Sequence, residues 1–301
     1  FSLGNRESAY KKLKKLFSDN EENHLLRFNL AVIEQALNLN EQAKKNYTFL
    51  IKKTSHLKSM VNLYLLYLKE DNFYQALELI NKLIKNNFNS KTIMKDKAFV
   101  LYKLKNYDES IKICKNYLEL DNDLDYFNIL GLNYFSKQNF NEAERIFKKG
   151  LMLDNNNITL LNSLGKIYHE QRDSKNAEKY LLKGYKIDKN SYEIINNLAG
   201  FYREEGDYSK SIDLYKQALK INPNNPSIIN NLAKAYFDID NIKLAKKYCK
   251  EALNLNKEDG NIQKILSLIY FREQNFQEGW KFFDGRLRLS DFIEKNSSIN
   301  K

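Results

Sequence analysis

Proline is almost missing from this chain: in 301 residues it occurs only as Pro223 and Pro226. Proline breaks helices, and the sequence is rich in Leu, Lys, Glu, Ile and Asn, so its scarcity points to an all-helical protein. Cysteine is as scarce, with Cys114 and Cys249 alone, no C-x-x-C and no histidine nearby in sequence. That excludes a disulfide framework and gives no cysteine-held metal site. Long apolar runs are missing too. The longest, from Met60 to Leu68, already contains Asn62, whereas a membrane-spanning helix needs ~18 apolar residues. A soluble, cytoplasmic protein with no membrane span is the expectation. The chain also lacks a P-loop, G-x-G-x-x-G, G-x-S-x-G and H-E-x-x-H, so no catalytic residue, cofactor or metal is assigned to it.

What is abundant is lysine. The net charge is +11, from 49 basic and 38 acidic residues. A basic balance invites a nucleic-acid reading, but arginine is sparse, and base readers favour its planar fork. Lysine, Asn and Ile share A- and T-rich codons, so the excess is read as a solvated lysine surface and nucleic acid is not the expected partner.

The sequence matches itself at a spacing of about 34 residues. With Tyr192 as position 1, the repeats are 24–56, 57–90, 91–123, 124–157, 158–191, 192–225, 226–259 and 260–293. Position 20 holds only small residues: Ala9, Ala43, Ala76, Ser110, Ala143, Ala177, Ser211, Ala245 and Gly279. Larger side chains there would force two packed helices apart. Position 7 is Leu except at Lys97, and position 11 is Tyr in Tyr67, Tyr134, Tyr168, Tyr202, Tyr236 and Tyr270. Both cysteines fall at position 24, an apolar core position, and read as buried thiols.

This pattern resembles the tetratricopeptide repeat family over nearly the whole chain. The resemblance implies a right-handed superhelical solenoid of helix-turn-helix repeats, with helices over positions 1–14 and 17–30. Residues 1–23 read as a partial hairpin that turns at Gly4, the next turn glycine being Gly206, and residues 294–301 as a linker. Small residues at position 27 are expected to face position 8 of the next repeat, as in Gly150 with Gly165 and Gly184 with Ala199. Leu50 against Tyr64 is large against large and marks a place where the stack must open or twist differently.

In this family the first helices line a concave groove through positions 2, 5, 6, 9, 12 and 13. Positions 5 and 6 here carry Asn29, Asn62, Asn128, Asn162, Asn196, Asn197, Asn230 and Asn231. Amides offer donors and acceptors, and such a row resembles the asparagine ladder of eukaryotic-type O-linked GlcNAc transferases, able to hold an extended peptide backbone. Lys166 and Lys234 at position 9 flank Gly200, with Arg203 on the same face, and would suit an acidic group. The chaperone-tail type of carboxylate clamp is not matched, because Phe99 follows Lys95. His169 falls at a groove position, while His24 and His56 lie between repeats. The expected ligand-binding set is Asn128, Asn162, Lys166, Asn196, Asn197, Arg203, Asn230, Asn231 and Lys234. As a solvated face, it is expected to contribute little to stability.

The last repeat differs. Glu278-Gly279-Trp280 leading to Phe283-Asp284-Gly285-Arg286 resembles the closing repeat of bacterial tetratricopeptide proteins that continue into a glycosyltransferase-like domain. The leading expectation is a scaffold that recruits a protein or peptide for such an enzyme. A stand-alone assembly scaffold or co-chaperone in secretion or envelope biogenesis is the alternative, and an enzyme site inside the solenoid is a third.

Overall fold

The computed structural model describes residues 3–257 and 259–283, which form seventeen α-helices and no strand. They fall into two compact units, divided between Ala143 and Glu144. In the first lie α1 (Leu3–Ser18), α2 (His24–Ala36), α3 (Asn40–Thr54), α4 (Leu57–Lys69), α5 (Phe73–Lys85), α6 (Lys91–Lys103), α7 (Tyr107–Leu118) and α8 (Leu124–Ser136). The unit boundary falls within α9 (Phe140–Leu153). The second holds α10 (Ile158–Glu170), α11 (Ser174–Ile187), α12 (Tyr192–Glu204), α13 (Tyr208–Ile221), α14 (Pro226–Asp238), α15 (Ile242–Leu255), α16 (Gly260–Arg272) and α17 (Phe276–Phe283).

The hairpins begin with turn chemistry. At position 15 the backbone is left-handed in all eight: Asn38, Asp71, Lys105, Gln138, Arg172, Asp240 and Gln274 have φ of 55 to 60°, and Gly206 has φ 83°. A left-handed residue exposes the carbonyls of the preceding turn to a 6→1 bond. That bond recurs as Asn72 N–H to Tyr67 O at 2.8 Å, Asp173 to Tyr168 at 2.8 Å and Asp207 to Tyr202 at 2.9 Å. The turn therefore consumes the carbonyl of position 11. The next residue caps the following helix: Asp173, Asp207 and Asn241 each accept a backbone N–H from its first turn. First helices are capped in the same way by Asn23, Ser90, Asn157, Asn225 and Asp259. Proline enters only at the start of α14, where a missing N–H leaves no bond unmade.

Packing follows the register. From Ala43 to Ala245 every position-20 residue is fully buried, and Gly279 is buried as well. Position 11 stacks on the aromatic at position 23 of its own hairpin: Tyr168 on Tyr180, Tyr236 on Tyr248, Tyr270 on Phe282, with planes within 10°. Tyr168 and Tyr202 add hydroxyl bonds of 2.8 Å to Glu144 and Glu178 of the preceding hairpin. Lys97, the exception at position 7, is held by Glu109 at 3.0 Å. Cys114 and Cys249 are buried free thiols, pushed up to about 12 by burial.

Two expectations are corrected. The N-terminal segment does not turn at Gly4, since α1 runs unbroken from Leu3 to Ser18. A glycine costs a helix interior only about 1 kcal/mol. At Gly165 and Gly184 the nearest neighbours are branched side chains rather than the small residues expected to face them. A Cβ on Gly165 would lie 2.5 Å from Leu181 Cγ, and one on Gly184 would lie 2.0 Å from Ile194 Cδ1. Each glycine accommodates a branched side chain instead. Leu50 and Tyr64 are both buried, at 0% and 2% exposure, and the Tyr64 hydroxyl is anchored 3.1 Å from Asp96. Asp284, Gly285, Arg286 and the 294–301 linker lie outside the described residues.

Candidate functional site

In the second unit, α10, α12 and α14 repeat the same positions side by side, and one cavity of about 250 Å³ opens on them. Its wall includes Lys166, His169, Asn196, Asn197, Gly200, Arg203, Asn231 and Lys234. The spacing brings this about. Positions 5, 6, 9 and 12 fall on one face of a helix, and the repeat sets three such faces in register.

The asparagines are joined to one another. Asn197 donates from its amide to Asn162 Oδ1 at 2.7 Å, and Asn231 donates to Asn196 Oδ1 at 3.1 Å. Position 6 of each repeat thus bonds to position 5 of the one before. Gly200 is part of the lining: a Cβ there would come 3.4 Å from the Tyr215 hydroxyl, so its absence opens the notch onto that group. Burial pushes the Tyr215 phenol up to about 12.

The charges divide into engaged and unengaged. Arg203 reaches Asp238 at 3.1 Å and Glu204 at 3.5 Å, and His169 Nε2 lies 3.0 Å from Glu204. Among the described residues no ion pair engages Lys166 or Lys234. Lys234 is half-buried, and burial, with Arg203 adding repulsion, holds its amine below the usual lysine range.

Of the expected set, Lys166, Asn196, Asn197, Arg203, Asn231 and Lys234 line the cavity, with Asn162 tied to them through Asn197. Asn230 does not: it is 5% exposed, and its Oδ1 has no hydrogen-bond partner. Asn196, at the same position 5 on α12, is half-buried. Asn128 sits half-buried on α8 in the other unit. Asn62 spends its amide on the Tyr47 hydroxyl, 3.0 Å away. Asn162, Asn196, Asn197 and Asn231 are half-buried. Sequence reasoning missed Glu170 and Glu204 on the cavity wall. The signal was the acid that recurs at position 13 of the 158–191, 192–225 and 226–259 repeats.

No helix among the described residues is long and apolar enough to cross a membrane, and no cluster of potential metal ligands occurs among them.

Residues 124–157, 158–191 and 226–259 match the family model described as tetratricopeptide repeat, and 201–240 match one described as TPR repeat. A search of curated proteins finds no match. Among solved structures the chain is similar to a monomeric mutant of IFIT1 with Gppp-AAAA (14% identity, TM-score 0.62, 95% of this chain and 74% of that one). It is similar to a tetratricopeptide repeat protein from Parabacteroides merdae (12% identity, TM-score 0.60, 79% and 96%). PilF of Pseudomonas aeruginosa is a third (15% identity, TM-score 0.55, 68% and 96%). At these identities the likeness concerns the fold, which is of the all-α class expected from the sequence.

Proposed function

We propose that this chain, an all-α run of tetratricopeptide repeats, is a protein-binding scaffold whose second unit receives an extended acidic peptide. The observation that carries the reading is the cavity at Gly200, where Lys166 and Lys234 stand without a carboxylate among paired asparagines. A half-buried ammonium has lost part of its hydration, and a ligand carboxylate would replace it with a short, charge-assisted bond. An amide has two donor hydrogens and an acceptor oxygen. Pairing uses one hydrogen of Asn197 and of Asn231, so the second hydrogen and the oxygen of each remain to hold a peptide backbone without reading its side chains.

The bound peptide is recruited for a glycosyltransferase-like enzyme of the same protein, acting in the cytoplasm. What supports this finer reading is the closing sequence from Glu278 to Arg286. Titration of an acidic peptide into the wild type and the Lys234→Glu chain tests the binding site. Mass spectrometry of the full-length protein's products on that peptide tests the enzymatic link.

A further inference from the structure

The first unit has a cavity of a different character, which the asparagine pattern did not foreshadow. It holds about 600 Å³ and is walled by Phe28, Leu57, Val61, Leu65, Phe88 and Ile93. That is the size of a small-ligand pocket, and it is mostly hydrocarbon. Leu65 and Phe88 remain 43% and 42% exposed, and Val32 on the same face of α2 is 39% exposed.

The repeat supplies an internal control on why these residues are apolar. Positions 5 and 9 are Phe28 and Val32 on α2, and Val61 and Leu65 on α4. Position 5 is polar in the other six repeats, as Lys95, Asn128, Asn162, Asn196, Asn230 and Lys264, and position 9 is Lys166, Gly200 and Lys234 on α10, α12 and α14 but apolar at Phe99, Leu132 and Leu268. The hairpin therefore folds with polar residues there, and packing does not demand Val61 and Leu65. An apolar cluster left half in water at positions the fold allows to be polar is a feature of interaction surfaces. Its lining includes Lys58, an exposed lysine that no ion pair engages among the described residues.

We infer that this cavity is a second peptide site, which takes the apolar side chains of a linear segment while Lys58 meets an acidic residue flanking them. The charge selects the flank: an unpaired cation on a chain of net charge +11 favours an anionic partner and rejects a basic one. The volume selects the anchor, since it accommodates a few side chains rather than a whole helix. The inference rests on the peptide-binding reading only in taking a peptide as the occupant. Its residues are separate from those around Gly200, so either site can fail alone.

The test uses three fluorescein-labelled hexapeptides and the intact chain carrying Lys234→Glu, which removes the attraction at the other cavity. The first probe is Glu-Leu-Glu-Leu-Phe-Glu, the second has Lys for each Glu, and the third has Ser for each Leu and Phe. By fluorescence polarisation the first binds, and the second and third bind at least about tenfold more weakly. Val61→Asn with Leu65→Lys, the residue types found at these positions in the second unit, weakens the first probe at least about tenfold without lowering the melting temperature. Lys58→Glu, an exposed change that cannot disturb the core, reverses the preference between the first two probes. Equal affinity for the first and third probes, or no response to either set of substitutions, overturns the inference. So does displacement of the first probe by dodecanoate at a concentration below the probe's own dissociation constant, which makes the site one for acyl chains. Self-association of the chain that is abolished by the Val61 and Leu65 changes also overturns it, since the cavity then receives a second copy.

Discussion

Asn197 donates its side-chain amide to Asn162 at 2.7 Å, joining α12 to α10 across one repeat. The bond makes this pair a load shared by two neighbouring hairpins rather than two independent groove residues. In a repeat array, stability is largely set by such nearest-neighbour contacts. Removing either partner should cost ~0.5–1.5 kcal/mol. Asn162→Ala and Asn197→Ala are each expected to destabilise the fold by that amount, and the double variant to be no worse than either single. Denaturant melts of the four proteins form the cycle. Additive losses would mean that the two side chains act separately.

The turns offer a gain in stability. Gln138 and Arg172 hold φ of 60° at position 15, where Gly206 holds 83° with open space around it. An L-residue with a side chain is strained in that region by ~1–2 kcal/mol, and glycine is not, although glycine loses more entropy on folding. Gln138→Gly and Arg172→Gly should therefore each stabilise by ~0.5–1 kcal/mol, and Gly206→Ala should destabilise by a similar amount. Thermal melts at fixed pH would contradict this if both glycine variants melted lower than wild type.

The contact between Gly184 and Ile194 predicts a size-for-size rescue. A Cβ at residue 184 would sit 2.0 Å from Ile194 Cδ1, in a fully buried place. Gly184→Ala should cost ~1–3 kcal/mol by overpacking, and Ile194→Val ~0.5–1.5 kcal/mol by lost burial. Ile194→Val deletes the clashing methyl, so the double variant should be clearly more stable than the sum of the two. A strictly additive result in urea unfolding would refute the packing described here.

How much of this was legible in the sequence differs by type of feature. Position 20, the break at Gly206-Asp207 and the buried cysteines follow from one residue's own size or conformational freedom, and repetition amplified each signal. The pairing of Asn197 with Asn162 depends on how consecutive repeats superpose, which no single position records. Asn230 shows the same limit: it shares position 5 with Asn196, yet is only 5% exposed. The cavity at Phe28, Val61 and Leu65 was hidden for another reason. Apolar residues in a helical repeat are expected to be core, and only the structure distinguishes a buried Leu63 from a half-exposed Leu65.

Lys234 ties stability to pH. Its amine titrates below the ordinary lysine value of 10.5, chiefly because of burial. The unfolded chain thus holds that proton more tightly than the fold does. This group's contribution therefore rises with pH between the lowered value and 10.5, and below that window the fold bears the full cost of the charge. Lys234→Met should melt higher than wild type at pH 7, with the gap narrowing as pH climbs through that window. Tyrosines raised by burial, such as Tyr215, oppose the trend in both proteins and cancel in the difference. A gap that widens with pH would reverse the sign and sink the assignment.

The binding site itself is tested most directly by calorimetric titration of one extended, glutamate-rich peptide into wild type, Asn197→Ala and Lys234→Glu at two salt concentrations. Wild type should bind, and more weakly in high salt, because exposed attractions are screened over ~10 Å at 0.1 M. Asn197→Ala should lose about 0.5–1.5 kcal/mol for each neutral hydrogen bond to the backbone. Lys234→Glu should lose more and respond less to salt. Unchanged affinity in both variants, with their helical fold intact, would place the peptide elsewhere and contradict the account of the cavity at Gly200.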